Sequence, residues 1–104
     1  MGKVSSRFWL SYDLGLRGEY DALYTWLDRR GARECGDSSA TFSGAESREE
    51  VAKSLAKTVA KGARLYLIGK KKDGRTVGGF VMGKRKAAPW AGFAQTTGDG
   101  VEEE

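Results

Sequence analysis

Residues 64–82 read RLYLIGKKKDGRTVGGFVM, and this stretch decides the fold. Asp73-Gly74 is a preferred pair for a two-residue type I′ turn, and apolar residues alternate on both sides of it. Centring the turn there sets Lys72 against Arg75, Leu67 against Phe80 and Leu65 against Met82. Those four apolar residues then share one face, while Tyr66, Ile68 and Val81 share the other. Gly78, Gly79 and Gly83 leave the returning strand open to twist or to a closely approaching backbone. The expected element is a β-hairpin with Lys70, Lys71, Lys72 and Arg75 crowded at its tip.

Upstream of it, residues 7–14 alternate as a strand does, with Phe8, Leu10, Tyr12 and Leu14 on one side and Trp9, Ser11 and Asp13 on the other. Residues 19–30 follow helical spacing through Tyr20, Leu23, Tyr24 and Leu27. Acids Glu19 and Asp21 open that helix, Arg29 and Arg30 close it, and Gly31 follows as the terminating residue. Residues 32–43 read as a second strand, but Ala40 and Phe42 share a parity that Cys35 does not. Gly36-Asp37 therefore marks a bulge or a break. Ser47 and Glu50 form a capping box for a second helix, whose apolar side is Val51, Leu55 and Val59 and which Gly62 ends. Lys53, Lys57 and Lys61 line a neighbouring face at four-residue spacing.

This order predicts an α+β protein of the ferredoxin-like sandwich type, with two helices on one face of a mainly antiparallel sheet that ends in the hairpin. The open face of that sheet would show Trp9, Tyr66 and Ile68, which are too apolar to leave wet. A homodimer across that face would cover them, and so would the segment with Trp90 and Phe93 folding back. Residues 1–94 are expected to form the single domain, and 95–104 a disordered acidic tail.

Composition narrows the chemistry. A chain of 104 residues buries a little under ~70% of its unfolded surface, enough for one core. Hydrophobic content of 39% with 11% aromatic residues supports a folded domain. No run approaches the ~20 apolar residues of a membrane span, and no secretory signal pattern is present, so the cytoplasm is the expected compartment. Met1-Gly2 with Ser6 fits the short myristoylation pattern, which is common by chance. With no histidine and one cysteine, imidazole-based catalysis and a closed structural zinc site are excluded. Cys35 reads as a small core residue rather than a nucleophile, and Ser38 and Ser39 as structural.

Charge is distributed unevenly. Between Lys53 and Lys86 eleven basic residues meet one acid, Asp73, whereas residues 87–104 hold four acids and no base. Such a concentration collects polyanions, because each cation brought to a phosphate releases condensed counterions. The expected nucleic-acid contacts are Lys57 and Lys61 on the second helix, Lys70, Lys71, Lys72 and Arg75 at the hairpin tip, and Lys84, Arg85 and Lys86 beyond it. Trp90 and Tyr66 would add stacking surface for unpaired bases. Lysines at a hairpin tip also protect sheet edges, and an acidic protein is the alternative partner, as in one half of a toxin–antitoxin pair. Asp13, at the end of the first strand, is the candidate catalytic and metal-binding acid, a position from which a carboxylate can hold Mg²⁺. A two-fold dimer would bring a second copy to it. The competing role for Asp13 is capping the loop at Gly15.

The run Ser11-Tyr12-Asp13-Leu14, the helix with Leu23, Leu27 and Gly31, and Ser39-Ala40-Thr41-Phe42 together resemble the small dimeric ferredoxin-fold nucleases of the virulence-associated protein D type and their CRISPR-associated relatives. The resemblance covers roughly the first 45 residues. It implies that Asp13 is a metal-binding catalytic acid meeting its symmetry mate, and that RNA or DNA is cut or merely held. That group has a further strand before its second helix, where only residues 44–46 intervene here. The lysine-rich hairpin and the Ala88-Pro89-Trp90 segment have no counterpart in it.

Overall fold

The structure is a computed structural model and describes residues 4–16 and 18–97. Its elements run β1 (Ser6–Asp13), α1 (Tyr20–Arg29), β2 (Arg33–Gly36), β3 (Ser39–Gly44), α2 (Arg48–Thr58), β4 (Arg64–Lys70), β5 (Thr76–Met82) and α3 (Phe93–Thr97). The five strands form one sheet in the order β2-β3-β1-β4-β5, and every neighbouring pair is antiparallel. The α+β class expected from the sequence is therefore present.

The alternation in β1 places Phe8 and Leu10 at the centre of the core, where Ala40 and Phe42 of β3 and Leu65 and Leu67 of β4 join them. Leu23, Trp26 and Leu27 of α1 and Val51 and Leu55 of α2 pack into the same cluster, so both long helices cover one face. Phe8 stacks on Phe42 at 5.3 Å between ring centroids, and Trp26 meets Phe42 edge-on at 5.2 Å. Gly69 belongs to this packing, because a Cβ there would lie 2.2 Å from the Phe8 ring. The sequence pattern assigned Tyr24 to the buried stripe of α1, but Tyr24 is exposed and Trp26 is buried instead. The indole explains the exchange. Its Nε1 donates to Ser54 Oγ of α2 at 2.8 Å, and the Arg30 guanidinium covers its ring at 4.0 Å.

Both helix ends follow their local signals. The amide of Gly31 donates to Asp28 O and that of Ala32 to Leu27 O, each at 3.0 Å, which is the Schellman arrangement that a positive-φ glycine permits. At the start of α2, Ser47 Oγ accepts from the Glu50 amide while Glu50 Oε1 accepts from the Ser47 amide, completing the capping box.

Two expectations require correction. Residues 32–43 are not one interrupted strand but a hairpin, β2 and β3, turning through Asp37 and Ser38. Ser38 accepts φ +53°, a cost that local sequence does not announce. This hairpin supplies a further strand ahead of the second helix. Cys35 consequently lies exposed on β2 and not in the core.

The β4–β5 hairpin exists, but its register differs by one residue near the tip. Lys70 pairs with Thr76 and Leu67 with Gly79, not with Phe80. The turn spans three residues, closed by Lys71 N–H to Arg75 O at 2.8 Å, with Gly74 at φ +91°. Among the described residues Ser38 is the only non-glycine with positive φ, so Asp73 does not adopt the conformation a type I′ turn demands. A bulge next to Tyr66 then restores the expected pairing of Leu65 with Met82. Phe80 is thereby turned onto the open face beside Tyr66.

Trp90 and Phe93 remain 74% and 62% exposed, so the segment that carries them does not cover the sheet. Residues 95–97 complete α3. The remainder of the expected acidic tail, 98–104, and Met1 and Gly2 of the acylation pattern lie outside the described residues. Among the described residues no helix is long and apolar enough to cross a membrane.

Candidate functional site

Directly paired residues of an antiparallel sheet project to the same side, so the register defines the open face. Trp9 lies between Thr41 and Ile68, Ser11 between Ser39 and Tyr66, and Asp13 beside Arg64. Arg7 pairs with Ser43, Arg33 with Thr41, Tyr66 with Phe80, and Lys70 with Thr76. Around the aromatic centre formed by Trp9, Tyr66 and Phe80, the strands thus present Arg7, Arg33 and Arg64. Asp13 is the acid that the same pairing brings to that face.

Two hollows occupy this surface. At the end of β1 and the start of β4, a niche of about 250 Å³ lies between Ser11, Asp13, Arg64, Tyr66, Phe80 and Arg85. Beside it a shallow groove of about 490 Å³ runs past Trp9, Cys35, Ser39 and Ile68, and shares Ser11 and Tyr66 with the niche. Tyr66 and Phe80 meet edge-on, centroids 5.1 Å apart, and the Arg85 guanidinium stands 5.5 Å from the Phe80 ring. Arg64 donates from one terminal nitrogen to Lys84 O at 3.3 Å, while its Nε is buried with no acceptor. A buried guanidinium nitrogen without a partner is costly, and the charge of Arg64, with that of Arg85, makes the niche favourable to an anion.

Asp13 Oδ1 accepts from the Gly15 amide at 2.9 Å, the loop-capping role weighed against catalysis. Tyr20 reinforces this loop by accepting from the Leu14 amide and donating to Gly15 O. Tyr12 packs edge-on against Tyr20 and Tyr24, and its hydroxyl pKa is raised by burial and then by Tyr24. Neither Asp13 nor Arg64 enters an ion pair among the described residues. No three Cys, Asp or Glu side chains among them gather around a common point. One carboxylate flanked by two arginines is a donor set that does not fit Mg²⁺ on a single chain.

The remaining predicted contacts divide into separate groups. β4 rises about 3.3 Å per residue, so Arg64 and Lys70 stand about 20 Å apart at its two ends. At the tip, the Lys72 amide donates to Glu49 Oε1 at 3.2 Å, and Arg75 pairs with Asp73 at 3.1 Å. Lys70, Lys71 and Lys72 share a depression with Glu46 and Glu50 at the start of α2. The Glu49 carboxyl is held below its ordinary range by its own amide, then by the Lys72 amide and the charge of Lys71. Acids thus surround the tip. Lys57 and Lys61 are exposed toward the other end of α2, and Lys84, Lys86 and Trp90 are exposed beyond β5, on the side of Arg64 and Arg85.

Sequence reasoning did not single out Arg7, Arg33, Arg64 or Phe80. Arg64 was detectable as the residue two before Tyr66, on the same strand parity. Arg7 shares the parity of Trp9. Arg33 required the unforeseen β2–β3 pairing, and Phe80 required the turn length.

Compared with protein-family models, with curated proteins and with solved structures, the chain finds no significant match.

Proposed function

We propose that this protein binds nucleic acid through the open face of its sheet, as a small α+β module of ferredoxin-like topology. The strand order β2-β3-β1-β4, with helices following β1 and β3, supports that topology, β5 being an added edge strand. One observation carries the functional reading: Arg7, Arg33 and Arg64 share a face with three aromatic rings and with one acid from the strands, Asp13. Fixed positive charge beside π-surfaces matches a ligand of repeating phosphates and bases.

The homodimer expected across this face would bring two copies of the same cationic patch into one interface, because a two-fold interface joins a surface to its own copy. Like charges so placed oppose association. Nucleic acid on the face removes that repulsion, so it is the favoured occupant.

Fluorescence anisotropy with labelled RNA and DNA across a salt series tests the proposal. Log affinity is expected to fall with log salt at about 0.7 per phosphate neutralised on a single strand. Absence of binding to either polymer at low salt overturns it and leaves an acidic protein as the partner. Asp13→Asn is expected to retain binding. If wild type shows Mg²⁺-dependent cleavage that this variant lacks, Asp13 is catalytic and the protein is more than a binding module.

A further inference from the structure

We infer that the ligand of the open face is an unpaired strand, laid from the groove beside Trp9 into the niche between Tyr66, Phe80 and Arg85, with one base seated in that niche. This rests on the nucleic-acid reading above and narrows it. In a duplex the faces of the bases are stacked against one another, and proteins read it with a helix or ribbon that enters a groove. The sheet offers neither, and at the tip of the β4–β5 hairpin Arg75 is already paired with Asp73. A pleated surface with accessible rings instead engages bases one at a time, as they splay out of a single strand.

The spacing of the rings suits such a strand. Trp9 is 43% exposed and sits diagonally across from Tyr66, since its direct partner is Ile68, two residues along β4. Diagonal neighbours on a sheet lie about 7–8 Å apart, so the two rings can take different bases. Tyr66 and Phe80 are only 5.1 Å apart and edge-on, so they form one platform rather than two. The Arg85 guanidinium over Phe80 supplies a cation at that platform, and Arg64 lines the same niche with a second. The niche, at about 250 Å³, falls below the ~300–1,000 Å³ of ordinary small-molecule pockets. It therefore fits part of a longer chain better than a free ligand held on all sides. Its continuity with the groove through Ser11 and Tyr66 gives that chain a path.

The test compares a labelled 12-nucleotide mixed-sequence single strand, as RNA and as DNA, with the corresponding 12-base-pair duplex at one salt concentration. The single strand is expected to bind the full chain at least tenfold more tightly. Trp9→Ala and Tyr66→Ala are each expected to weaken single-strand binding roughly tenfold. Trp9→Phe should restore most of the affinity, which a purely structural role for the indole would not require. Phe80→Leu keeps the position apolar and removes the ring, so it gives a second reading if an alanine variant does not fold by circular dichroism. Equal affinity for duplex and single strand, or unchanged affinity in folded Trp9 and Tyr66 variants, overturns this inference while leaving nucleic-acid binding in place. No binding to any of the polymers overturns both.

Discussion

The two ends of the β4–β5 hairpin carry similar positive charge in very different company. At the tip, Lys71, Lys72 and Arg75 lie among Glu46, Glu49, Glu50 and Asp73, and backbone amides and carboxylates close the turn. At the open end, Arg64 and Arg85 line a niche with two aromatic rings and Asp13, and one guanidinium nitrogen has no acceptor. Counting cations along the chain treats these ends alike. A phosphate would meet nearby carboxylates at the first and two arginines beside aromatic rings at the second. The lesson is that a cation's neighbours, more than its presence, decide whether a surface is free to bind.

The largest expected effect isolates the open end. Arg64→Gln with Arg85→Gln should weaken single-strand binding on the order of a hundredfold, about 2.7 kcal/mol, by anisotropy, because each arginine stands for a charge-assisted contact. Next, Arg48 shows how the tip end serves the fold. Its Nε donates to Leu67 O at 3.0 Å and a terminal nitrogen to Gly79 O at 2.9 Å, tying α2 to both strands of the hairpin. Arg48→Met should cost about 2 kcal/mol in chemical denaturation, with binding unchanged where the protein remains folded.

Smaller effects sharpen the contrast further. Lys71→Gln with Lys72→Gln should change affinity by less than about twofold, as expected where Lys71 already faces Glu49 and Asp73 and Lys72 is exposed to solvent. A tenfold loss in that pair would move the binding surface to the tip and break the comparison. An effect on stability alone concerns Glu46, whose carboxyl is held below its ordinary 4.5 first by the hydrogen bond from Arg30, at 2.9 Å. A depressed carboxylate stabilises the fold above its unfolded value and ceases to do so as pH falls through the folded one. Thermal unfolding should therefore separate wild type from Glu46→Gln by less than about 1 kcal/mol at pH 7. The two should converge as the pH drops well below 4.5.

Legibility in the sequence followed the range of the interactions. The capping box at Ser47 and Glu50 and the Gly31 terminus involve residues within one helical turn, and both stood as read. The core positions on β1, β4 and α2 followed from periodicity alone. The hairpin's place was plain from Asp73-Gly74, but its register hung on whether Asp73 takes positive φ, which Gly74 alone does not decide. That single torsion moved Phe80 from the core side to the open face and so changed the composition of the site. The β2–β3 turn was hidden because Ser38 occupies a position usually signalled by glycine or asparagine. Tyr24 and Trp26 are both plausible on a helical wheel, and Ser54 on α2, 28 residues away, decides between them. Of the candidate site, Trp9, Asp13 and Tyr66 were visible as a shared parity. Their assembly with Arg33 needed the sheet order, a property that no local window contains.

The sole thiol of the chain, Cys35, is exposed on β2 and borders the groove beside Trp9. A dye attached there would couple at a single place, without any engineered cysteine, and would report the arrival of a strand by its change in emission. The same adduct, if bulky, would obstruct the groove, so one labelling reaction yields both a sensor and a blocker of the proposed surface.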